Sequence, residues 1–406
     1  MLVSRIHYGH ILGVAAILAP TLGLFAPLMV APLAVITIFA AIVTDLLRRS
    51  ETPQIDWLFL APFLLLFIWS AITLTWSADG DGAVRKWAAL ATVGIPFVYV
   101  LLRTYRLFEE ERRILRSAVC VGAALGLGLA MVEVATKGFI MIELFGFKPP
   151  SGSYIVLVNR APAVLLLFAW LAAAASPKGG WIFIMTGAVM AYALPSESAL
   201  VAYGAAIFVY WGVLVAPKLL RVLLPAAMAA TLLIGPSLFA TIDKPVREFL
   251  GDGNSSIAHR LEIWQFTNKH IQANPLTGLG FNGSRQAPGG GERYVLRNKR
   301  GQVIGNGDRL PLHPHNGAMQ IWLELGLPGA LLVAMLAALT GYRAIRLRER
   351  HDAAMAAGLV TTAFLIWLLS FGVWQSWWMS TFVLAFLLAV PSRRFNTGGN
   401  SERASS

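Results

Sequence analysis

The stretch WLFLAPFLLLFIWSAITLTW, residues 57–76, holds twenty residues without one charge. As a helix rising 1.5 Å per residue it crosses the ~30 Å hydrocarbon core of a bilayer. Comparable apolar stretches recur at 9–25, 27–46, 84–103, 115–134, 159–176, 180–195, 198–216, 219–240, 317–341, 353–371 and 373–391. The chain therefore reads as an all-α polytopic integral membrane protein of about 12 transmembrane helices. Composition agrees: 57% of residues are apolar and 13% charged, against roughly 25% charged in soluble proteins. A single cysteine, Cys120, excludes both an intrachain disulfide framework and a cysteine metal cluster. No cleavable signal peptide is evident, because the apolar run starting near Tyr8 leads directly into another apolar run.

A net charge of +12 raises the question of nucleic acid. Its distribution answers it. Alternate connections hold Arg5, Arg48, Arg49, Arg103, Arg106, Arg112, Arg113, Arg116, Lys178, Lys218, Arg221, Arg343, Arg346, Arg348 and Arg350, and the tail adds Arg393, Arg394 and Arg403. The short connections between them hold only Arg85, Lys86, Lys137, Lys148 and Arg160. By the positive-inside rule both termini are cytoplasmic, and the charge is a topology signal. No nucleic-acid partner is expected. The chain divides into helices 1–9 (1–240), one long outer loop between helices 9 and 10 (241–316), helices 10–12 (317–391) and a polar tail (392–406).

Within the loop, Ile257 to Ala273 has the spacing of an amphipathic helix, with Ser255 or Ser256 able to cap it and Asn274-Pro275 ending it. Gly278-Leu279-Gly280-Phe281 reads as a turn. Ala287 to Arg309, rich in glycine and basic residues, reads as mobile. The loop closes on His313-Pro314-His315-Asn316. In a helix starting there, Asn316, Gln320 and Glu324 lie on one face with His315 at its mouth. Such a stripe faces the bundle interior rather than lipid. Interhelical hydrogen bonding beside small residues such as Gly317, Ala318, Gly326 and Gly329 accounts for it; so does a proton carrier, His315, at a wet cavity. A metal site is disfavoured, because His313 and His315 have no acidic cluster near them.

Among outer basic residues, Arg160 heads a span and Arg260 lies one turn before Trp264 in the loop helix. Their planar forks of donors suit phosphate, although interfacial snorkelling for Arg160 and a pair with Glu262 for Arg260 are the plainer readings. Arg85 and Lys86 could hold a lipid head group or mark a boundary. Arg285, Arg293, Arg297, Lys299, Arg300 and Arg309 give the loop a basic skin that attracts an anionic ligand or lipid. Asp79-Gly80-Asp81 reads as a plain turn.

These residues resemble the O-antigen ligase and polymerase superfamily of bacterial inner-membrane glycan transferases. The specific matches are His315-Asn316 with Gly326 and Gly329 after it, and Arg260, Trp264, Asn274-Pro275, Gly278 and Gly280-Phe281 upstream. Thr75-Trp76-Ser77-Ala78-Asp79 and Asn159-Arg160 are weaker echoes. Many members carry Ser-Arg at the outer start of the eighth span; here Pro195-Ser196-Glu197-Ser198-Ala199 has no arginine, which leaves Arg160 as the candidate for that phosphate contact.

The resemblance implies a GT-C-like glycosyltransferase architecture and a transferase that needs neither metal nor cofactor. It implies a glycan donor on undecaprenyl pyrophosphate and a sugar hydroxyl of lipid A–core as acceptor, at the outer face of the inner membrane. In that scheme His315 is the base or a phosphate contact, and Arg160 and Arg260 hold pyrophosphate. Asn316, Glu324, Arg85, Lys86, Trp264 and Gln320 line or order the substrate site. A polymerase using the same donor, a protein O-oligosaccharyltransferase and a lipid-linked glycan transporter are the alternatives. A transporter is expected to show internal repeats and broken helices at the midplane, and no clear repeat between the halves is seen.

Overall fold

The computed structural model describes residues 8–48, 56–102, 109–149, 153–241, 255–297 and 302–392. Arg5, Arg49, Arg103, Arg106, Lys299, Arg300 and the tail beyond residue 392 lie outside these residues, as do the side chains of Ser255 and Ser256. The helices are α1 (Tyr8–Phe25), α2 (Val30–Arg48), α3 (Trp57–Ile72), α4 (Asp81–Leu102), α5 (Glu109–Ala135), the single turn α6 (Ile155–Val158), α7 (Ala161–Ala175), α8 (Gly180–Ala193), α9 (Glu197–Val215), α10 (Pro217–Thr241), α11 (Ser255–Ala273), α12 (Gly317–Ile345), α13 (Arg350–Leu369) and α14 (Ser376–Ser392). Among the described residues, each of the twelve apolar stretches contains a helix. Eight are long and apolar enough to cross a membrane (α1, α2, α3, α5, α9, α10, α12 and α13), while α7, α8 and α14 are shorter apolar helices.

Helix α7 is apolar on every side, and all but one of its residues, Ala174, are buried. A helix that is hydrophobic all round belongs in the middle of a bundle. Its one polar side-chain atom is satisfied there, since Trp170 Nε1 donates to Thr362 Oγ1 of α13 at 2.9 Å. On the periphery the sign reverses: Phe208 and Val215 of α9 are 81% and 80% exposed, as helices facing lipid tails are. The protein is an all-α polytopic membrane protein.

Bonds between connections respect the alternation of the helices. Arg343 at the end of α12 pairs with Asp56 before α3, and Arg350 Nη1 donates to Leu214 O at the end of α9. At the other end, Ala78 N between α3 and α4 donates to Leu279 O in the long loop.

The described parts of the segment read as mobile, 287–297 and 302–309, are folded. Strands β1 (Arg293–Arg297) and β2 (Val303–Asp308) form an antiparallel hairpin with Tyr294 opposite Gly307. Tyr294 stacks on His259 of α11, 5.7 Å between ring centroids, and its hydroxyl bonds to His259 Nδ1. Leu296 is buried while Val295 is exposed. This is the period-two pattern of a half-buried strand, too short to stand out among glycines and arginines.

Candidate active site

The His motif is built from backbone conformation first. Asn316 is the N-cap of α12, and its Oδ1 accepts from Met319 N at 3.1 Å. His315 has φ +52°, a left-handed conformation uncommon without glycine. That turn is pinned from α11, where the buried Trp264 donates from Nε1 to Pro314 O at 2.9 Å. His315 Nδ1 lies 3.1 Å from Ser370 O. A carbonyl only accepts, so Nδ1 carries the proton and Nε2 keeps its lone pair. Nε2 makes no hydrogen bond among the described residues and is not a sealed atom. Arg260 Nη1 donates to Leu369 O at 3.0 Å. Successive carbonyls at the end of α13 thus hold both side chains. Those carbonyls lack intrahelical partners and carry the negative end of the helix dipole. A hydroxyl pair, Ser198 with Ser370, ties the start of α9 to the same point.

Burial, with the charges of Arg260 and His259, holds the His315 imidazole below its ordinary value of 6.5 against the opposing bond to Ser370. His313 packs edge-on against His315, with ring centroids 4.3 Å apart. It is pushed down to about 3, by burial first and then by His315, Arg285 and Arg260. Both rings are neutral at pH 7. Burial also lowers the half-buried Arg260, with Glu197 opposing; an arginine so placed stays charged.

Gln320 and Glu324 continue the stripe below Asn316, and all three are buried. Four donors converge on the Glu324 carboxylate. Ser284 Oγ and Gln320 Nε2 reach Oε1 at 2.5 and 2.9 Å. Asn282 N reaches Oε2 at 2.9 Å, joined there by Trp374 Nε1. Two donors on each oxygen is the pattern a carboxylate accepts. Gln320 Oε1 in turn accepts from Val373 N at 2.9 Å. The stripe therefore knots three segments together: the loop at 282–284, α12, and the α13–α14 connection.

The spaced glycines have a definite task. Gly326 takes φ +61° and ψ −161°, which breaks α12 in two. The sequence reading gave this residue a close-packing role in a continuous helix; it does pack closely, against Leu276 and Thr277 of the loop, but its positive φ also breaks the helix, at a conformation only glycine adopts at low strain. The backbone groups around the break are taken up from outside. Leu325 O accepts from Trp69 Nε1 of α3 at 2.8 Å. Leu327 N donates to Pro275 O, and Leu279 N to Leu323 O, at 2.9 and 2.7 Å. Gly278 (φ +62°) lies so close that a Cβ would sit 2.6 Å from the Glu324 carbonyl carbon. On its other side the strap 275–282 grips the α3–α4 corner: Phe281 N donates to Thr73 Oγ1, Ser77 Oγ to Phe281 O, and Asn282 Nδ2 to Asp79 Oδ2.

The remaining expected residues fall differently. Lys86 is half-buried and donates to Ser376 Oγ at 3.3 Å, while its neighbour Arg85 is exposed. Arg160 occupies the N-cap position of α7; among the described residues no hydrogen bond or ion pair joins it to His315 or Arg260. In the stretch 195–199, which lacks an arginine, Ser198 and Ala199 are buried. Sequence reasoning did not single out Asn282, Ser284, Ser370 or Trp374. The first two follow directly on Gly280-Phe281, so the turn pointed at them; nothing in sequence links the other two to the motif.

A bundle of apolar helices with this polar knot at one end defines a polytopic membrane protein with a built site at the mouth of the bundle. Residues 181–334 match the family model described as O-antigen ligase. The chain is 26% identical over 290 residues to "Putative polysaccharide ligase" of Rickettsia felis, covering 68% of this chain and 66% of that protein. Proteins of the same description in Rickettsia conorii and Rickettsia prowazekii are 25% and 26% identical, covering 69% and 73% of this chain and 67% and 73% of their own lengths. The chain thus spans about two thirds of the length of the first of these relatives. From α8 into α12 the chain is therefore similar to the O-antigen ligase family, and the relatives it resembles carry the description of putative polysaccharide ligases.

Proposed function

We propose that this protein is an O-antigen ligase that transfers a glycan from undecaprenyl pyrophosphate to a sugar hydroxyl of lipid A–core at the periplasmic face of the inner membrane, without a metal ion. The observation that carries the reading is the His315 imidazole, neutral, oriented through Nδ1 and open at Nε2, mounted on the same helix end as the Arg260 guanidinium. The acceptor oxygen attacks the anomeric carbon and forms the new glycosidic C–O bond. The C–O bond to pyrophosphate breaks, and the hydroxyl proton passes to His315 Nε2. Charge builds on the leaving pyrophosphate, and a preorganised guanidinium in a site of low dielectric stabilises it. Glu324 and Asn316 hold the motif in shape, and Trp264 fixes Pro314.

The test is reconstitution of the purified protein with an undecaprenyl-pyrophosphate glycan and lipid A–core, with and without EDTA. Glycan on lipid A–core in both conditions is expected. Longer undecaprenyl-linked chains instead would make the protein a polymerase, and loss of product in EDTA would overturn the metal-free chemistry.

A further inference from the structure

The cations around the histidine pair form two poles. Arg260 is the first, on the α13 end beside His315. The second is made by Lys86 and Arg285. Lys86, near the start of α4, reaches Ser376 at the start of α14. Arg285 is exposed in the short turn Gly283–Gln286. Its place is fixed by Ser284, whose hydroxyl sits on Glu324, and the same carboxylate takes the indole of Trp374, two residues before Ser376. One buried carboxylate thereby sets Arg285 and Ser376, and Lys86 follows Ser376. The electrostatic reach runs in the same order, with Arg285 acting on both Lys86 and His313, and Arg260 on both histidines.

Neither Lys86 nor Arg285 has a carboxylate partner among the described residues. Of the acids in the neighbouring segments, Asp79 accepts from Asn282 Nδ2 at 2.7 Å, and Glu324 is filled by its four donors. Two cations without carboxylate partners, both positioned from the Glu324 knot, form a complement to an anion. A transfer reaction brings two substrates to one atom, so the base lies between them. Arg260 shares the mount of His315 and serves the leaving pyrophosphate. The other pole faces the other substrate.

We propose that Lys86 and Arg285 form an anion subsite for the acceptor, which carries a phosphate or carboxylate near the hydroxyl that receives the glycan. This rests on the transferase reading above.

The experiment measures transfer to a phosphorylated acceptor glycolipid and to the same acceptor after dephosphorylation. In the double variant Lys86→Gln/Arg285→Gln, acceptor KM rises about tenfold or more while donor KM holds. On the stripped acceptor the wild type falls to the level of the variant. The charge-keeping pair Lys86→Arg/Arg285→Lys retains most of the acceptor affinity. A rise in donor KM instead, or an equal penalty on both acceptors, overturns the subsite. Should the wild type transfer nothing, the ligase reading fails, and binding of the two glycolipids in nanodiscs still decides. Tighter binding of the phosphorylated form that is lost in the double variant supports the subsite; no difference between the proteins overturns it.

Discussion

Glu324→Gln tests whether the knot beneath the histidine organises the site. The carboxylate accepts from Ser284 Oγ, Gln320 Nε2, Asn282 N and Trp374 Nε1. An amide of the same shape has one oxygen, so it satisfies two of these donors and turns its own NH2 on the other two. Each buried donor left without a partner costs about 1–3 kcal/mol, which makes the substitution worth roughly 2–6 kcal/mol in all. Glu324→Ala strands Gln320 Nε2, Asn282 N and Trp374 Nε1, while Ser284 Oγ keeps Leu312 O as an acceptor at 3.2 Å; three stranded donors cost about 3–9 kcal/mol, on the scale of the whole stability of a typical domain, about 5–15 kcal/mol. The glutamine variant should therefore insert and fold with a lowered unfolding temperature, and the alanine variant should fail to hold the loop on the bundle. Function falls further than stability, because Asn282 and Val373 are the backbone points from which the strap and the α13–α14 connection are hung. The assay pairs thermal unfolding in nanodiscs with transfer rate. A glutamine variant that unfolds at the wild-type temperature and transfers at the wild-type rate would refute the argument.

Three further outcomes are expected. Gly326→Ala places a Cβ against Leu276 O and Thr277 N at a backbone conformation that costs a side-chain residue about 1–3 kcal/mol; the strap 275–282 should become protease-sensitive, and an unchanged digestion pattern and unfolding temperature would count against the break. Transfer should be flat at neutral pH and decline in acid, since His315 is base-competent only when neutral and its pKa is lowered from 6.5; an acid limb with its midpoint above 6.5 would contradict the assignment. Arg260→Lys keeps the charge but loses the fork that donates to Leu369 O and, in the proposed reaction, holds the leaving group, so the rate should drop at least about tenfold at unchanged expression; a near-normal rate would make Arg260 a structural residue.

The helices were legible because each apolar stretch carries its own evidence. Twenty uncharged residues such as 57–76 need no partner to be recognised. The hairpin at 293–308 was not, because its inward face is two residues, Tyr294 and Leu296, and their partner His259 lies on another element. The break in α12 was half legible. Gly326 and Pro328 mark the place, but the sign of φ comes from the strap that lies against it. An apolar helix interrupted beside hydrocarbon leaves backbone groups that water does not reach. The interruption persists because Trp69, Pro275 and Leu279 supply their partners.

The site shows the same division. The stripe Asn316, Gln320, Glu324 follows from helical spacing alone, and it is buried as that spacing requires. What the spacing leaves out is the mount. Arg260 sits on a loop helix and His315 on a left-handed turn, two elements with no regular relation in sequence. The end of α13 relates them, because Leu369 O takes the guanidinium and Ser370 O takes the imidazole. Both bonds run from a donor to carbonyls of one rigid helix end, so a displacement of α11 or of the His turn stretches a bond rather than changing the distance between base and cation freely. In the proposed transfer, pyrophosphate departure and proton removal share one transition state, whose rate depends on that distance being held before substrate arrives. The hydroxyl pair of Ser198 and Ser370 extends the mount to α9. The start of α9 carries no arginine between residues 195 and 199, and the guanidinium at the mount comes from the loop helix.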